Sequence, residues 1–258
     1  MHFVRYEVKG AESWGQVAAD GRIEVLDGDP LIGYTTNGEV LDDHHTVRWL
    51  PPTLPTKIVA VGLNYRDHAA ESGKPVPEEP MIFMKPPSSL VGSGQAIVLP
   101  MEGQRIDHEA ELAIVVGKRC RDVAPEEWRT VVLGFTCAND VSHRGLQRKD
   151  GQFARAKGFD TFCPMGRELA VDVDPSDLLI ECRVNGVTQQ SSRTRQLVFD
   201  VGSIVSFVSS VMTLEPWDVI LTGTPSGVSP LSPGDLVEVR IEGVGSLANP
   251  VVSAARAT

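Results

Sequence analysis

Glu109 and Glu111 stand two residues apart in the run Arg105-Ile106-Asp107-His108-Glu109-Ala110-Glu111-Leu112-Ala113-Ile114-Val115-Val116-Gly117. The run is rich in β-branched residues and reads as a strand, where side chains alternate faces with a period of two. Both acids then share a face with Ala113 and Val115, while Ala110, Leu112, Ile114 and Val116 point the other way. Two carboxylates buried together repel, and a cation removes that penalty. Asp140 closes a second apolar run, Leu133 to Ala138, and supplies a third carboxylate. Three oxygen donors suit a hard divalent ion, Mg²⁺ or Mn²⁺, better than Zn²⁺ and leave roughly three octahedral positions for water and substrate. Taken alone, a Glu-x-Glu pair also fits a solvated strand edge.

A second constellation is His68 and Glu71. At a spacing of three they share one face of a helix. A carboxylate beside an imidazole fixes its tautomer and raises its basicity, as a general base for water requires. The same pair also fits a surface ion pair. Gly62, Ser72, Gly73, Pro75 and Pro77 around it suit a segment that moves as a lid. Candidate anion-binding groups are Arg144 and Gln147 just after Asp140, and Lys157, hemmed by Gly158 and Phe159. The turn Thr222-Gly223-Thr224-Pro225-Ser226-Gly227-Val228 adds hydroxyls and backbone amides suited to a carboxylate. His108 adjoins Glu109 but points to the opposite face, so it is not taken as a ligand. His143 is left open as a residue that could line the site. His2, His44 and His45 read as surface.

The elements that must position these groups follow from local patterns. Residues 1–50 read as short strands, such as Phe3 to Val8 and Gly21 to Leu26, with turns at Asp27-Gly28-Asp29-Pro30 and Asn37-Gly38. The proline-rich Leu50 to Thr56 reads as a semi-rigid linker. A small N-terminal β domain is therefore placed at residues 1–53 and the main domain at 54–258. Lys57 to Gly62 is a buried strand. Tyr65 to Ser72 is a short helix with Asn64 as its cap and Gly73 as its stop. Pro125-Glu126-Glu127-Trp128 suits a first helical turn, and Val184-Asn185-Gly186-Val187 a hairpin. Asp200 caps a core-packing helix with apolar positions Val201, Ile204, Val205, Val208, Val211 and Met212. Strands follow around Asp218 to Thr222, Asp235 to Ile241 and Asn249 to Val252. Many strands, few helices and no regular βαβ alternation make the fold class α+β.

With 258 residues, 41% of them hydrophobic and 22% charged, the chain can build a sizeable core. A net charge of −10 argues against a nucleic-acid surface. Cys120, Cys137, Cys163 and Cys182 have no zinc or disulfide spacing and read as reduced, mostly buried thiols. No run approaches the ~18 apolar residues of a membrane helix. A soluble, cytoplasmic protein is expected.

Five motifs, in order, resemble the fumarylacetoacetate hydrolase family. They are Gly62-Leu63-Asn64-Tyr65 through Glu71, His108-Glu109-Ala110-Glu111-Leu112, Asn139-Asp140-Val141-Ser142, Lys157-Gly158-Phe159-Asp160-Thr161, and the turn from Thr222 to Val228. The resemblance spans roughly residues 55–252. The first fifty residues are similar to the small N-terminal domain of the bacterial branch with acylpyruvate hydrolases and 2-hydroxyhepta-2,4-diene-1,7-dioate isomerase/decarboxylases. The resemblance implies a mixed β-roll, barrel-like fold and a homodimer. It implies Glu109, Glu111 and Asp140 as Mg²⁺ or Mn²⁺ ligands, and His68 and Glu71 as the water-activating lid dyad. It implies Lys157 and Thr224 on the substrate's oxygens, with Arg144 and Gln147 near the metal. Gly145, where relatives often carry an acid, and His143, where they often carry a small residue, depart from the pattern. A metal chelating a small 2-oxo acid stabilises an enolate. The expected activity is C–C hydrolysis of acylpyruvate or fumarylpyruvate-type 2-oxo acids. The alternatives are isomerase/decarboxylase action on dienedioate catabolites, oxaloacetate decarboxylation, or a non-catalytic 2-oxo-acid-binding protein.

Overall fold

The computed structural model describes residues 1–41, 47–73, 75–100 and 104–254; His44 and His45 lie outside them. The strand Ala110–Val116 is the centre of the architecture, and every residue in it is buried. It runs antiparallel to Val132–Asn139 on one side and Val219–Leu221 on the other. A strand flanked and covered in this way must be apolar on both faces. Its alternation sorts the faces as expected. Leu112, Ile114 and Val116 enter the main core, while Ala113 and Val115 enter two smaller clusters. The acids therefore do not lie on a solvated edge.

Among the described residues, thirteen strands form one open sheet. From one edge the order is Gly33–Val40, Ile23–Asp29, Ala11–Val17, His2–Val8, Glu168–Ala170, Val132–Asn139, Ala110–Val116, Val219–Leu221, Ile58–Gly62 and Met81–Lys85. Three short strands, Arg48–Leu50, Leu90–Gly92 and Cys163–Met165, branch from that path. A second, five-stranded sheet has the order Val187–Arg193, Leu179–Val184, Leu236–Ile241, Gly245–Ser253 and Ile97–Leu99. The main core joins Leu112 and Ile114 of the first sheet to Ile180, Val237 and Val239 of the second. It also takes in Ile204, Val205 and Val208 from the helix Val201–Val211. Full burial of one such aliphatic side chain stabilises by about 1.5–3 kcal/mol. The result is α+β, mostly sheet, as the pattern of elements predicts.

Local signals are mostly honoured. The Asp200 side chain accepts from Ser203 N–H at 2.8 Å, the expected cap. Val211, in the last turn, is exposed and leaves the core face. Asn185 and Gly186 have φ of 52° and 77°, the left-handed pair a tight hairpin turn requires. Pro125–Thr130 is a 3-10 helix. Two expected turns differ. Asn37-Gly38 lies inside the strand Gly33–Val40, where the register with its neighbour shifts, so it forms a bulge. Asp27, Gly28 and Asp29 complete the preceding strand, and the chain turns from Pro30 onward.

The proline-rich segment is packed. Thr53 is buried and its hydroxyl donates to Trp217 O at 2.5 Å. Arg5, on the His2–Val8 strand, donates to Pro51 O at 3.4 Å. All four cysteines are buried and free. Burial pushes the thiols of Cys137, Cys163 and Cys182 up to about 12, which keeps them inert. No helix among the described residues is long and apolar enough to cross a membrane.

Candidate metal centre

Two strand ends build the site. Ala110 pairs with Asn139, and continuing that register by one residue sets Glu109 opposite Asp140. Asp140 N–H donates to Glu109 O at 2.8 Å, and Asn139 Oδ1 accepts from Glu109 N–H at 2.9 Å. Glu111 follows on the same face of the strand. One oxygen from each of Glu109, Glu111 and Asp140 can be chosen so that all three lie within 4.8 Å of one another. Antiparallel pairing thus closes a gap of about thirty residues in the sequence.

Three cations surround the acids. Lys157, at the end of the short helix Ala154–Lys157, donates through Nζ to Glu109 Oε2 at 2.6 Å and to Asp140 Oδ2. Lys85 is equally buried and donates to Asp140 Oδ1 at 2.6 Å and to Lys157 O. Arg144 opens the helix Arg144–Asp150. Its Nη2 lies 2.6 Å from Glu109 Oε1, and its Nε donates to Asp107 Oδ2 at 2.8 Å. Glu111 has no ion pair among the described residues, and it accepts from Gly223 N–H at 2.7 Å.

These contacts set the charges. Burial opposes ionisation of Glu109, but Lys157 and Arg144 outweigh it and hold the carboxyl well below its usual range. Burial pushes Glu111 well above the usual range, and repulsion from Asp140 and Glu109 adds to the push. Burial likewise opposes the charge on Lys157, yet Asp140, Glu109 and Glu111 raise it and keep the ammonium protonated. A divalent cation would take the place of the Glu111 proton and offset the repulsion among the three acids, and the donor set is all carboxylate oxygen. The residues present therefore fit a hard divalent ion.

An inner cavity of about 70 Å³ is lined by Glu109, Glu111, Lys157, Thr224, Arg144, Gln147 and His68, with Leu63, Phe83 and Phe153 among its apolar walls. It meets an outer cleft of about 610 Å³ that also touches Glu71, Arg105, Asp107 and Arg148. A larger groove of about 770 Å³, lined by His2, Glu181, Arg183 and Glu238, contains none of the acids and lies apart from this chemistry.

His68 and Glu71 lie on the helix Arg66–Ser72, with Nδ1 and Oε2 3.2 Å apart. Glu71 Oε1 also accepts from Gly227 N–H at 3.1 Å, so the turn that follows Thr224 holds the dyad's helix. Gly73, at φ 64°, ends that helix as expected. Tyr65, not Asn64, occupies the cap position. The Asn64 amide instead donates to Thr222 O at 2.8 Å and to Phe199 O at 3.0 Å, and accepts from Phe199 N–H at 2.8 Å. Arg144 Nη1 donates to Gln147 Oε1 at 3.0 Å. Thr224 accepts from Gln190 Nε2 at 2.8 Å.

The other histidines separate from the site. His108, between the strands Ile106–Asp107 and Ala110–Val116, is buried against Gln190 and Ser229 and lines neither cavity. His143 caps the helix Arg144–Asp150, accepting from Leu146 N–H at 3.2 Å, and lines neither cavity. His2 is half-buried and paired with Glu168 at 2.8 Å, so it is not a plain surface residue. A Cβ on Gly145 would meet His143 Cε1 at 3.2 Å. His143 therefore leaves little room for a side chain at position 145.

Three contributors escaped the sequence reading. Lys85 carried a signal, a lysine closing the apolar run Met81-Ile82-Phe83-Met84 and followed by two prolines. Asp107 carried a weaker one, an acid two residues before Glu109. It is fully buried and accepts from both Arg105 and Arg144. Gln190 carried none. Its Oε1 accepts from Ala110 N–H at 3.0 Å while its Nε2 donates to Thr224 and Pro225. It ties the acid-bearing strand to the turn.

Comparison with known proteins gives the family and the fold. Residues 57–252 match the family described as fumarylacetoacetate (FAA) hydrolase C-terminal, and residues 1–52 match the family described as Rv2993c-like, N-terminal. The chain belongs to the fumarylacetoacetate hydrolase family. It is 44% identical over 229 residues to the mitochondrial oxaloacetate tautomerase of Xenopus laevis, covering 84% of this chain and 72% of that one. The crystal structure of 5-carboxymethyl-2-hydroxymuconate delta-isomerase from Mycobacterium smegmatis superposes with a TM-score of 0.90 at 42% identity, covering 98% of this chain and 100% of the other. Fumarylacetoacetate hydrolase from Exiguobacterium antarcticum gives a TM-score of 0.88 at 37% identity, over 98% and 99% of the two chains.

Proposed function

We propose that this chain is a divalent-metal-dependent enzyme that enolises a 2-oxo acid and hydrolyses the C–C bond of acylpyruvate or fumarylpyruvate-type substrates. The observation that supports this most is one cavity lined by Glu109, Glu111, Lys157, Thr224 and His68. Glu109, Glu111 and Asp140 would hold Mg²⁺ or Mn²⁺, which when bound supplies Lewis-acid polarisation of the substrate's carboxylate and 2-oxo oxygens. Lys157, kept protonated by the acids, donates to developing oxyanion charge. Thr224, fixed by Gln190, and the Arg144–Gln147 pair orient the substrate's polar end.

With His68 Nδ1 donating to Glu71, Nε2 carries the lone pair that takes a proton from water. The hydroxide oxygen adds to the distal acyl carbonyl. The C–C bond then breaks, its electron pair passes to the pyruvate enolate, and that carbon takes back a proton. The products are pyruvate and a carboxylic acid. The assembly and setting that family likeness suggests are a homodimer and the cytoplasm.

A second reading, isomerisation or tautomerisation, draws on the names of the Xenopus relative and the Mycobacterium neighbour. It needs only proton transfer at the enolised carbon and no water. Decarboxylation would use the same enolate. A purely binding role has no use for the His68–Glu71 dyad. The test is a Mg²⁺-supplemented panel of acylpyruvates, oxaloacetate and dienedioates with wild type and His68→Ala. Acylpyruvate cleavage should fall by roughly 10²–10⁴-fold in the variant, with oxaloacetate tautomerisation spared. Retained cleavage removes the dyad from the mechanism. Tight binding without turnover across the panel favours the binding protein.

A further inference from the structure

Gln190 lies on the strand Val187–Arg193 and is fully buried. That strand pairs Gln190 with Cys182 and then Thr188 with Arg183, so Gln189 is an extra residue and forms a bulge. Next to the bulge, the Gln190 side chain reaches across to the first sheet. Its Oε1 accepts from Ala110 N–H at 3.0 Å, and its Nε2 donates to Pro225 O at 2.8 Å. Both partners are backbone groups of one polarity. Turning the amide over would set donor against donor and acceptor against acceptor, so its orientation is fixed. His108 Nδ1, 3.0 Å from the same Oε1, therefore also donates to it.

The orientation of this amide decides where the Thr224 proton goes. Gln190 Nε2 also donates to Thr224 Oγ1 at 2.8 Å, so the hydroxyl accepts on its Gln190 side. The neighbouring carbonyl, Pro225 O, already takes a Gln190 proton. The Thr224 hydroxyl makes no other hydrogen bond among the described residues, and Thr224 lines the inner cavity beside Lys157 and Arg144. Accepting from a buried amide also strengthens the hydroxyl as a donor, because chained hydrogen bonds polarise one another. We infer that Gln190 is a positioning residue for the substrate site: by donating to Thr224 it reserves the Thr224 proton for an oxygen of the bound 2-oxo acid. Glutamate at this position would keep the acceptor for Ala110 N–H but draw the Thr224 proton to itself. The inference rests on the inner cavity being the 2-oxo-acid site.

Two measurements test this. Neutron diffraction on wild-type protein in D₂O locates the deuterons. Those of the Gln190 amide should point at Thr224 Oγ1 and Pro225 O, with the Thr224 deuteron turned into the cavity. A Thr224 deuteron directed at Gln190 or Pro225 overturns the inference. Calorimetry of 2-oxobutyrate on the Mg²⁺-loaded protein then compares wild type, Thr224→Val, Gln190→Glu and the double variant. Each single change should weaken binding by about tenfold, the loss of one hydrogen bond to a charged ligand. The double variant should bind no more weakly than Thr224→Val alone, because both changes remove the same proton. Thr224→Ser, which keeps the hydroxyl, should bind as wild type does. Losses that multiply to about a hundredfold in the double variant mean that Gln190 only braces the fold. That result, or wild-type affinity in Gln190→Glu, overturns the inference and leaves the 2-oxo-acid reading standing. Melting temperature shows whether Gln190→Glu folds, and where it does not, the neutron result decides. Failure of 2-oxobutyrate to bind wild type overturns the 2-oxo-acid reading, and this inference with it.

Discussion

Replacing Glu111 by glutamine should stabilise the metal-free protein while abolishing its response to metal. Glu111 is buried with no ion pair among the described residues, and chosen oxygens of Glu109 and Asp140 lie within 4.8 Å of one of its own. At that separation and an effective dielectric of about 20, two like charges repel by about 3.5 kcal/mol. Two such repulsions, offset in part by Lys157 and by proton uptake at Glu111 itself, leave roughly 1–3 kcal/mol. For a chain of this size that is a rise of about 2–12 °C in melting temperature. Glutamine keeps an acceptor for Gly223 N–H and adds donors for the neighbouring acids, so no polar group is orphaned.

The sign of the pH dependence follows from the raised carboxyl. The folded metal-free protein holds the Glu111 proton to higher pH than the unfolded chain does. That contribution is complete below the usual glutamate range near 4.5. It is lost as pH rises toward the higher folded value, with a slope of up to about 1.4 kcal/mol per pH unit. Glu111→Gln flattens this slope, so its advantage grows with pH. The assay is thermal unfolding after chelation and dialysis, at several pH values, with and without Mg²⁺ or Mn²⁺. A metal-free variant no more stable than wild type, or one that retains the full metal-dependent shift, would refute the reasoning.

Other outcomes follow from the same contacts. Metal binding near neutral pH should release up to about one proton from Glu111, seen as a buffer-dependent heat in calorimetry and absent in Glu111→Gln. Gly223→Ala forces a side chain at φ 99° and a contact of 2.8 Å with Asn64 Cβ. It should lower the melting temperature and, by moving the amide that orients Glu111, weaken metal affinity by about 10–100-fold. Lys85→Met leaves Asp140 with one cation where it had two, and should cost about 3–5 kcal/mol by urea unfolding.

Legibility followed the range of the interactions involved. The strand Ala110–Val116, the Asp200 cap and the Asn185-Gly186 turn rest on neighbours in sequence, and periodicity or turn chemistry exposes them. The Glu109–Glu111 pair could be read from one strand's alternation, and Asp140 joined it because an antiparallel hairpin brings strand ends together. Lys85 and Gln190 could not be placed. Each reaches the site from an element paired elsewhere, Lys85 from a strand whose partner is Ile58–Gly62 and Gln190 from a hairpin in the second sheet. Asn64 misled for a related reason. Its local sequence suits a helix cap, but bonds to Thr222 and Phe199, both distant in sequence, claim its side chain. At Asn37-Gly38 a bulge uses the same left-handed glycine that a turn would, at φ 83°, and only the partner strand distinguishes the two.

The central claim is that the acids of this cavity hold a divalent ion with which the chain enolises a 2-oxo acid. Proton NMR in D₂O measures that step directly, as exchange of the C3 hydrogens of oxaloacetate against the uncatalysed rate. Mg²⁺- or Mn²⁺-loaded wild type should accelerate exchange, while chelated protein and Glu111→Gln should return it to background. Acceleration that survives chelation, or that Glu111→Gln retains in full, would contradict the account.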